Sequence, residues 1–335
     1  MTVSRVVNND SVVIATTRAK VEAAIAQLNY IPNPAAQSLA GKGQFRLVLL
    51  FINPSPAFMS ELLLGCLDQV RSNGAQLQVE HFDPAEPIET LCARLRQNRI
   101  DAVLLPGLLC DDTRLVRGLA ANGFLVSRIA ATRRLANSVA VGIDDEAAAY
   151  AMTRHLIDLG HQRIGFIAGP ADQNVSALRS AGHARAMRET GGMIDPSLTF
   201  EGDFTYRSGM EATEQFLSLP ARPTAVFASN DDMAAGAIAV AHRHHLDVPK
   251  DLSVCGYDDT SVARTIWPEL STVHQPVTVM ASRAIDMVLD KLRNPDGCAE
   301  TAPAHELLDF SLVIRASTAR LQATPDQDLP PATAD

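Results

Sequence analysis

The sequence predicts an α/β protein: a clamshell of two doubly wound parallel-sheet lobes, preceded by a short all-helical head. Three observations carry that prediction. From residue 46 onward, short apolar runs alternate with longer amphipathic runs, and the series restarts after Asp144. Several of the apolar runs end in polar residues, at Asn53, Asp144, Asn230 and Asp258. An open parallel sheet places its ligands at such carboxyl ends. The charge is also divided unevenly. Lys and Arg number 29 against 38 Asp and Glu, a net −9, yet residues 1–46 hold five cationic side chains against two anionic ones. A head with a surplus of three positive charges precedes a body with 24 cations against 36 anions.

In the head, TTRAKVEAAIAQLNY (16–30) sets Val21, Ala24, Ile25 and Leu28 at helical spacing. PNPAAQSLAGKG follows. Pro32 and Pro34 end that helix and open a short second one, and the two glycines release it, a composition suited to a conditional hinge.

In the body, RLVLLFIN (46–53) reads as a strand and MSELLLGCLDQVRSNG (59–74) as a helix ending at Gly74. AQLQVEHF alternates as a strand, PIETLCARLRQN is helical, and DAVLLPG is a buried strand. TRLVRGLAANG, FLVSRIAA and VAVGID continue the cycle as helix, strand and strand. The second series runs DEAAAYAMTRHLIDLG (helix), RIGFIAG (strand), SALRSAGHARAMRETGG and TYRSGMEATEQFLSL (helices). It continues with TAVFASN (strand), DDMAAGAIAVAHRHH (helix) and LSVCGYDD (strand). After LSTVHQP come one long helix, VTVMASRAIDMVLDKLRN, and the segment HELLDFSLVIRAST, which are expected to cross back between the lobes. The expected first lobe covers 46–159 and 277–304, and the second 160–276 and 305–318. ARLQATPDQDLPPATAD (319–335) is polar and Pro-rich and is expected to be disordered.

Several function classes are disfavoured. MTVSRVVNND lacks the apolar core of a secretory signal, and no stretch approaches the roughly 20 apolar residues of a membrane span. The cysteines Cys66, Cys92, Cys110, Cys255 and Cys298 are odd in number and form no C-x-x-C. They read as reduced, buried thiols of a cytoplasmic protein. Asp231–Asp232 and Asp258–Asp259 are adjacent pairs at strand ends. Their side chains point apart rather than facing each other across a scissile glycosidic bond. His242 and His245 in HRHH lack a neighbouring Cys or carboxylate, and no glycine-rich nucleotide loop is present. Neither catalysis nor a cofactor nor a metal is expected.

Five segments, TVSRVVNN (2–9), TRAKVEAAIAQLNYIPNPAAQSLAGK (17–42), LIDLGHQRIGFIAG (156–169), SNDDMAAGA (229–237) and GYDD (256–259), carry a resemblance. In order and over nearly the whole chain, the sequence resembles the LacI/GalR family of bacterial transcriptional regulators. The resemblance implies a periplasmic-binding-protein-like clamshell (46–318), a partial helix-turn-helix head (1–31) and a hinge helix with linker (32–45). It also implies a partner, pseudo-palindromic operator DNA. TVSRVVNN matches the recognition helix, so Thr2, Ser4, Arg5 and Asn8 take its groove- and phosphate-facing positions. The Arg5 fork suits guanine O6 and N7. Leu39 resembles the leucine that wedges into a central minor-groove step, with Asn33 and Ala36 beside it. Taken alone, Arg5 would read as a salt-bridging surface arginine and Leu39 as ordinary packing.

Two departures stand out. The sequence enters the family pattern inside the recognition helix, so roughly 15–20 upstream residues are expected to complete the head. Ile14 stands where the family usually has a serine N-cap, whose loss costs on the order of 1 kcal/mol.

In the body the resemblance implies an effector cleft, usually for a sugar or nucleobase. Its residues would be Phe58, Arg179, Phe204, Asn230, Asp258 and Gln275. Two polar strand ends, one arginine and an aromatic face suit a neutral sugar. The expected function is that of an effector-controlled repressor acting as a homodimer, with a tetramer left open. The rival is a chain that binds a sugar-like ligand but not DNA.

Overall fold

A computed structural model describes residues 2–7, 13–28, 44–52, 55–190, 195–294 and 305–322. Two compact units divide it, at Phe45/Arg46.

In the head, α1 (Thr2–Val7) packs against α2 (Ala15–Gln27). Val6 is buried there, but Val3, Ile14 and Leu28 stay exposed. The helical spacing of α2 does not become a buried face: Val21 and Ile25 are half-buried, and Ala24 and Leu28 are exposed. Two short helices offer too little apolar surface to cover that stripe. Ile14 caps α2 without a side-chain hydrogen bond, since its hydrocarbon side chain has no acceptor. The expected hinge residues 32–43 lie outside the described residues.

The first sheet of the body has the order β11-β5-β4-β3-β1-β2. Its strands are β1 (Arg46–Phe51), β2 (Gln76–His81), β3 (Ala102–Pro106), β4 (Leu125–Ile129), β5 (Val139–Gly142) and β11 (His305–Leu307), all paired in parallel. Every residue of β3 is buried, because helices cover both faces, so an unbroken apolar run is its sequence signature. The helices α4 (Ile88–Gln97) and α5 (Thr113–Ala121) bring Leu91, Leu95, Leu115 and Leu119 onto Val48, Leu50, Val103 and Leu105. On the other face lies α11 (Val277–Arg293), against β4, β5 and α3 (Pro56–Ser72).

The second sheet has the order β12-β10-β9-β8-β6-β7. It comprises β6 (Ile164–Ala168), β7 (Thr199–Glu201), β8 (Ala225–Ala228), β9 (Ser253–Asp258), β10 (Ser271–His274) and β12 (Ser311–Val313), with β12 antiparallel to β10 and the others parallel. The helices α8 (Tyr206–Leu217) and α9 (Asp231–Arg243) share a core with its strands. The short α10 (Ser261–Thr265) follows β9.

Four expectations need correction. The helix α6 (Asp145–Asp158) packs on α7 (Asn174–Glu189), β10 and β12, so the chain changes lobe at residues 143–144 rather than after 159. The strand β11 joins the first sheet, so the last crossing falls between Leu307 and Ser311 rather than at 305. The strand β7 separates two helices that the sequence pattern runs together. It is a three-residue edge strand, exposed at Thr199 and Glu201, and lacks an apolar run. The expected tail is also fixed further than residue 318. The Ala319 N–H donates to Ser253 Oγ, Ala319 O accepts from His161 Nε2, and the Leu321 N–H donates to Leu159 O. Residues 323–335 lie outside the described residues. Among the described residues, no helix is long and apolar enough to cross a membrane.

Candidate ligand cleft

The carboxyl ends of both sheets face one cleft, enclosing about 500 Å³ including its open mouth. It is lined by all six residues expected from the sequence, Phe58, Arg179, Phe204, Asn230, Asp258 and Gln275, together with Ser55, Gly107, Leu108, Ala130 and Val175. Asp258 is the last residue of β9, and each of the others comes from a segment following a strand. Ser55 and Phe58 follow β1, Gly107 and Leu108 follow β3, and Ala130 follows β4. Val175 and Arg179 lie on the helix after β6, and Phe204, Asn230 and Gln275 follow β7, β8 and β10.

Arg179 organises the floor. Its Nε donates to Asp145 Oδ1 at 2.9 Å and its Nη1 to Ser229 O at 2.6 Å. Its guanidinium lies over the Tyr257 ring, and the Tyr257 hydroxyl donates to the same Asp145 oxygen at 2.8 Å. Asp258 sits 3.9 Å from Arg179 Nη1 and accepts from Gln275 Nε2 at 2.5 Å. Burial pushes the Asp258 carboxyl up to about 7, against the pull of Arg179 and Gln275. Asp231, close behind, is also pushed up by burial and then by Asp258. It accepts from the Thr260 N–H at 2.8 Å and from Thr272 Oγ1 at 2.6 Å. Among the lining residues Arg179 is the one cation and Asp258 the one acid, and Arg179 is already paired with Asp145, so the cleft offers no unpaired positive charge to an anionic ligand.

The Asn230 side chain is engaged in shaping the wall. Its Oδ1 caps α9 through the Met233 N–H, and its Nδ2 donates to Phe204 O, both at 2.9 Å. Phe204 is held at φ +64°, Asp258 at +111° and Ala130 at +60°. Such left-handed conformations in non-glycine residues gather at functional sites. Gly169 makes room for Phe204, since a Cβ there would fall 2.1 Å from its Cζ.

The sequence reading missed Ser55, Ala130, Asp145 and Tyr257. Asp145 could have been sought as a second carboxylate beside Asp144, but its partner Arg179 is 34 positions away. Among the described residues, Cys66, Cys92, Cys110 and Cys255 are buried and unpaired, and burial pushes the Cys66 thiol up to about 12. No group of three His, Cys, Asp or Glu side chains there could hold a metal ion.

Of the expected DNA-contacting residues, Thr2, Ser4 and Arg5 belong to α1, and Arg5 is exposed. Asn8, Asn33, Ala36 and Leu39 lie outside the described residues.

A family profile described as "Bacterial regulatory proteins, lacI family" matches residues 1–33, and one described as "Periplasmic binding protein-like domain" matches 153–318. The ribose operon repressor of Escherichia coli (strain K12) is 34% identical over 298 residues, spanning 88% of this chain and 89% of the relative. The lac repressor dimer, solved bound to operator and the anti-inducer ONPF, is 32% identical. It has a TM-score of 0.80, over 95% of this chain and 94% of that one. The transcriptional regulator CelR, solved with cellobiose, is 29% identical with a TM-score of 0.72, over 94% of each chain.

Proposed function

Since the chain belongs to the LacI family of bacterial regulatory proteins, we propose that it is a cytoplasmic repressor whose hold on operator DNA is set by a neutral sugar in the cleft. It is a regulator and not an enzyme. Within that reading Asp258 accepts paired sugar hydroxyls, and Gln275 orients that carboxylate. Arg179 adds a donor, and Phe58 and Phe204 cover the apolar faces of the ring. Thr2, Ser4, Arg5 and Asn8 read the major groove, and Asn33, Ala36 and Leu39 engage the minor groove.

One observation carries the effector half: six polar and aromatic residues from separate segments meet around a single cleft with no surplus positive charge. That balance favours a neutral polyol over a sugar phosphate. A relative named for the ribose operon and a structural neighbour solved with cellobiose bear on the same class of ligand. Gln275 lies on one of the connections between the lobes, so a ligand that moves it also moves the first lobe. Coupling between cleft and DNA is then reciprocal.

The active form is a homodimer. Leu64 and Leu67 on α3 are 59% and 52% exposed, and Val79 on the adjoining β2 is 42% exposed. Three large apolar side chains on neighbouring elements suit burial against a second copy.

Thermal denaturation with a panel of neutral pentoses, hexoses and disaccharides tests the effector reading. A ligand present at 100 times its dissociation constant adds about 2.7 kcal/mol. Asp258→Ala should abolish that shift while leaving a salt-dependent gel shift on selected DNA intact. A shift that survives in Asp258→Ala overturns the cleft assignment.

A further inference from the structure

Two side-chain hydrogen bonds join the lobes beside the cleft. Ser55 Oγ, on the first lobe, donates to Asp232 Oδ2 on the first turn of α9 in the second. Asn174 Nδ2, at the start of α7 in the second lobe, donates to Thr132 Oγ1 in the first. Both are anchored in the first lobe. Ser55 Oγ accepts from the Phe58 N–H at 3.3 Å and so caps α3. Thr132 Oγ1 donates in turn to Asp111, whose other oxygen accepts from the fully buried Arg128 at 2.8 Å.

Across the lobes the Ser55 hydroxyl donates and the Thr132 hydroxyl accepts, yet each is used fully. Each hydroxyl has one proton, which goes to a carboxylate, and each accepts from an N–H. Of the two bonds that cross between the lobes, Ser55–Asp232 ends on a carboxylate and is charge-assisted, and so stronger than the neutral Asn174–Thr132 bond. Neither Asp232, Asn174 nor Thr132 lines the cavity, whereas Ser55 and Val175, the immediate neighbour of Asn174, do. Burial raises the Asp232 carboxyl while the Ser55 hydroxyl lowers it, so that acid is held partly out of water by the closed lobes.

We propose that Asp232 and Thr132 are positioning residues for the effector site: with Ser55 and Asn174 they latch the lobes in the closed arrangement and so set effector affinity without touching the effector. The inference rests on reading the cavity as an effector site. A ligand that requires closed lobes binds with an apparent affinity scaled by the closed fraction. Lobes that opened freely would lower that fraction.

The test is small-angle X-ray scattering and amide hydrogen exchange on the full-length protein without added ligand. Asp232→Ala combined with Thr132→Val should raise the radius of gyration. It should also speed exchange at cleft-wall residues Leu108 and Val175 about tenfold, the scale expected for losing one charge-assisted and one neutral hydrogen bond. Thr132→Ser, which keeps the hydroxyl, should behave like the parent, and Asp232→Asn, which keeps an acceptor without its charge, should fall between the parent and Asp232→Ala, which distinguishes latching from general loss of packing. Each single variant should show a partial effect if the double variant folds poorly. Scattering and exchange unchanged in both Asp232→Ala and Thr132→Val would overturn the proposal. These readouts need no sugar, so a silent sugar panel would count against the effector reading and leave the latch standing.

Discussion

The Arg179 guanidinium lies 3.6 Å over the ring of Tyr257, both fully or nearly fully buried beneath the cleft. A cation over an aromatic face is held by the ring quadrupole, and more firmly when desolvated. Asp145 closes the set by accepting from both residues, so a buried charge, its counter-charge and a phenol are satisfied together.

Removing one member should therefore cost more than its contacts. Arg179→Ala leaves Asp145 buried without its cation and should lower stability by about 3–5 kcal/mol. Arg179→Lys restores charge but not the planar stack or the two directed donors, and should recover part of that loss. Urea unfolding of both variants measures the difference.

Asp258 and His183 should tie stability to pH with opposite signs. Burial holds Asp258 up at about 7 against an ordinary 3.8, so the folded state binds that proton more tightly. Its contribution is full below the ordinary value and is lost as pH rises through about 7. His183, stacked on Phe166, is held down by burial at about 4 against 6.5. Its contribution is full above 6.5 and is lost as pH falls toward 4. Asp258→Asn should flatten the decline on the alkaline side and His183→Gln that on the acid side, in urea midpoints taken across this range.

Gly182 lets α6 and α7 approach closely. A Cβ there would stand 2.2 Å from Glu146 O and 2.8 Å from Tyr150 N, both backbone atoms that cannot turn aside. Gly182→Ala should destabilise by about 1–3 kcal/mol, the usual range for overpacking, with a lower melting temperature as the readout.

Leu64→Glu with Leu67→Glu places two charges on the exposed stripe of α3. Sedimentation equilibrium should show the dimer shifting to monomer with the fold intact by circular dichroism. An unchanged assembly would move the interface elsewhere.

Much of the fold was legible because strands covered on both faces must be apolar throughout, as AVLLP in β3 is, and because polar residues end them at the ligand side. Phe58, Arg179, Phe204, Asn230, Asp258 and Gln275 could be named through motifs that resemble a family. The strand β7 could not, because an exposed edge of three residues needs no apolar run.

The order of residues alone determined the alternation of strands and helices, the doubling of that series and two polar strand ends at the cleft, Asn230 and Asp258. Asp144 is instead an exposed helix cap, and Asn53 lies outside the described residues. Tertiary structure decided which lobe receives α6 and β11, and which side chains meet across the cleft: Arg179 with Asp145 and Tyr257, Ser55 with Asp232, Asn174 with Thr132. Local spacing sets the apolar face of a helix, whereas the surface that covers it is supplied by chain far away in sequence. The same holds for a buried charge, whose partner is whichever opposite group the packed lobes bring within hydrogen-bonding reach.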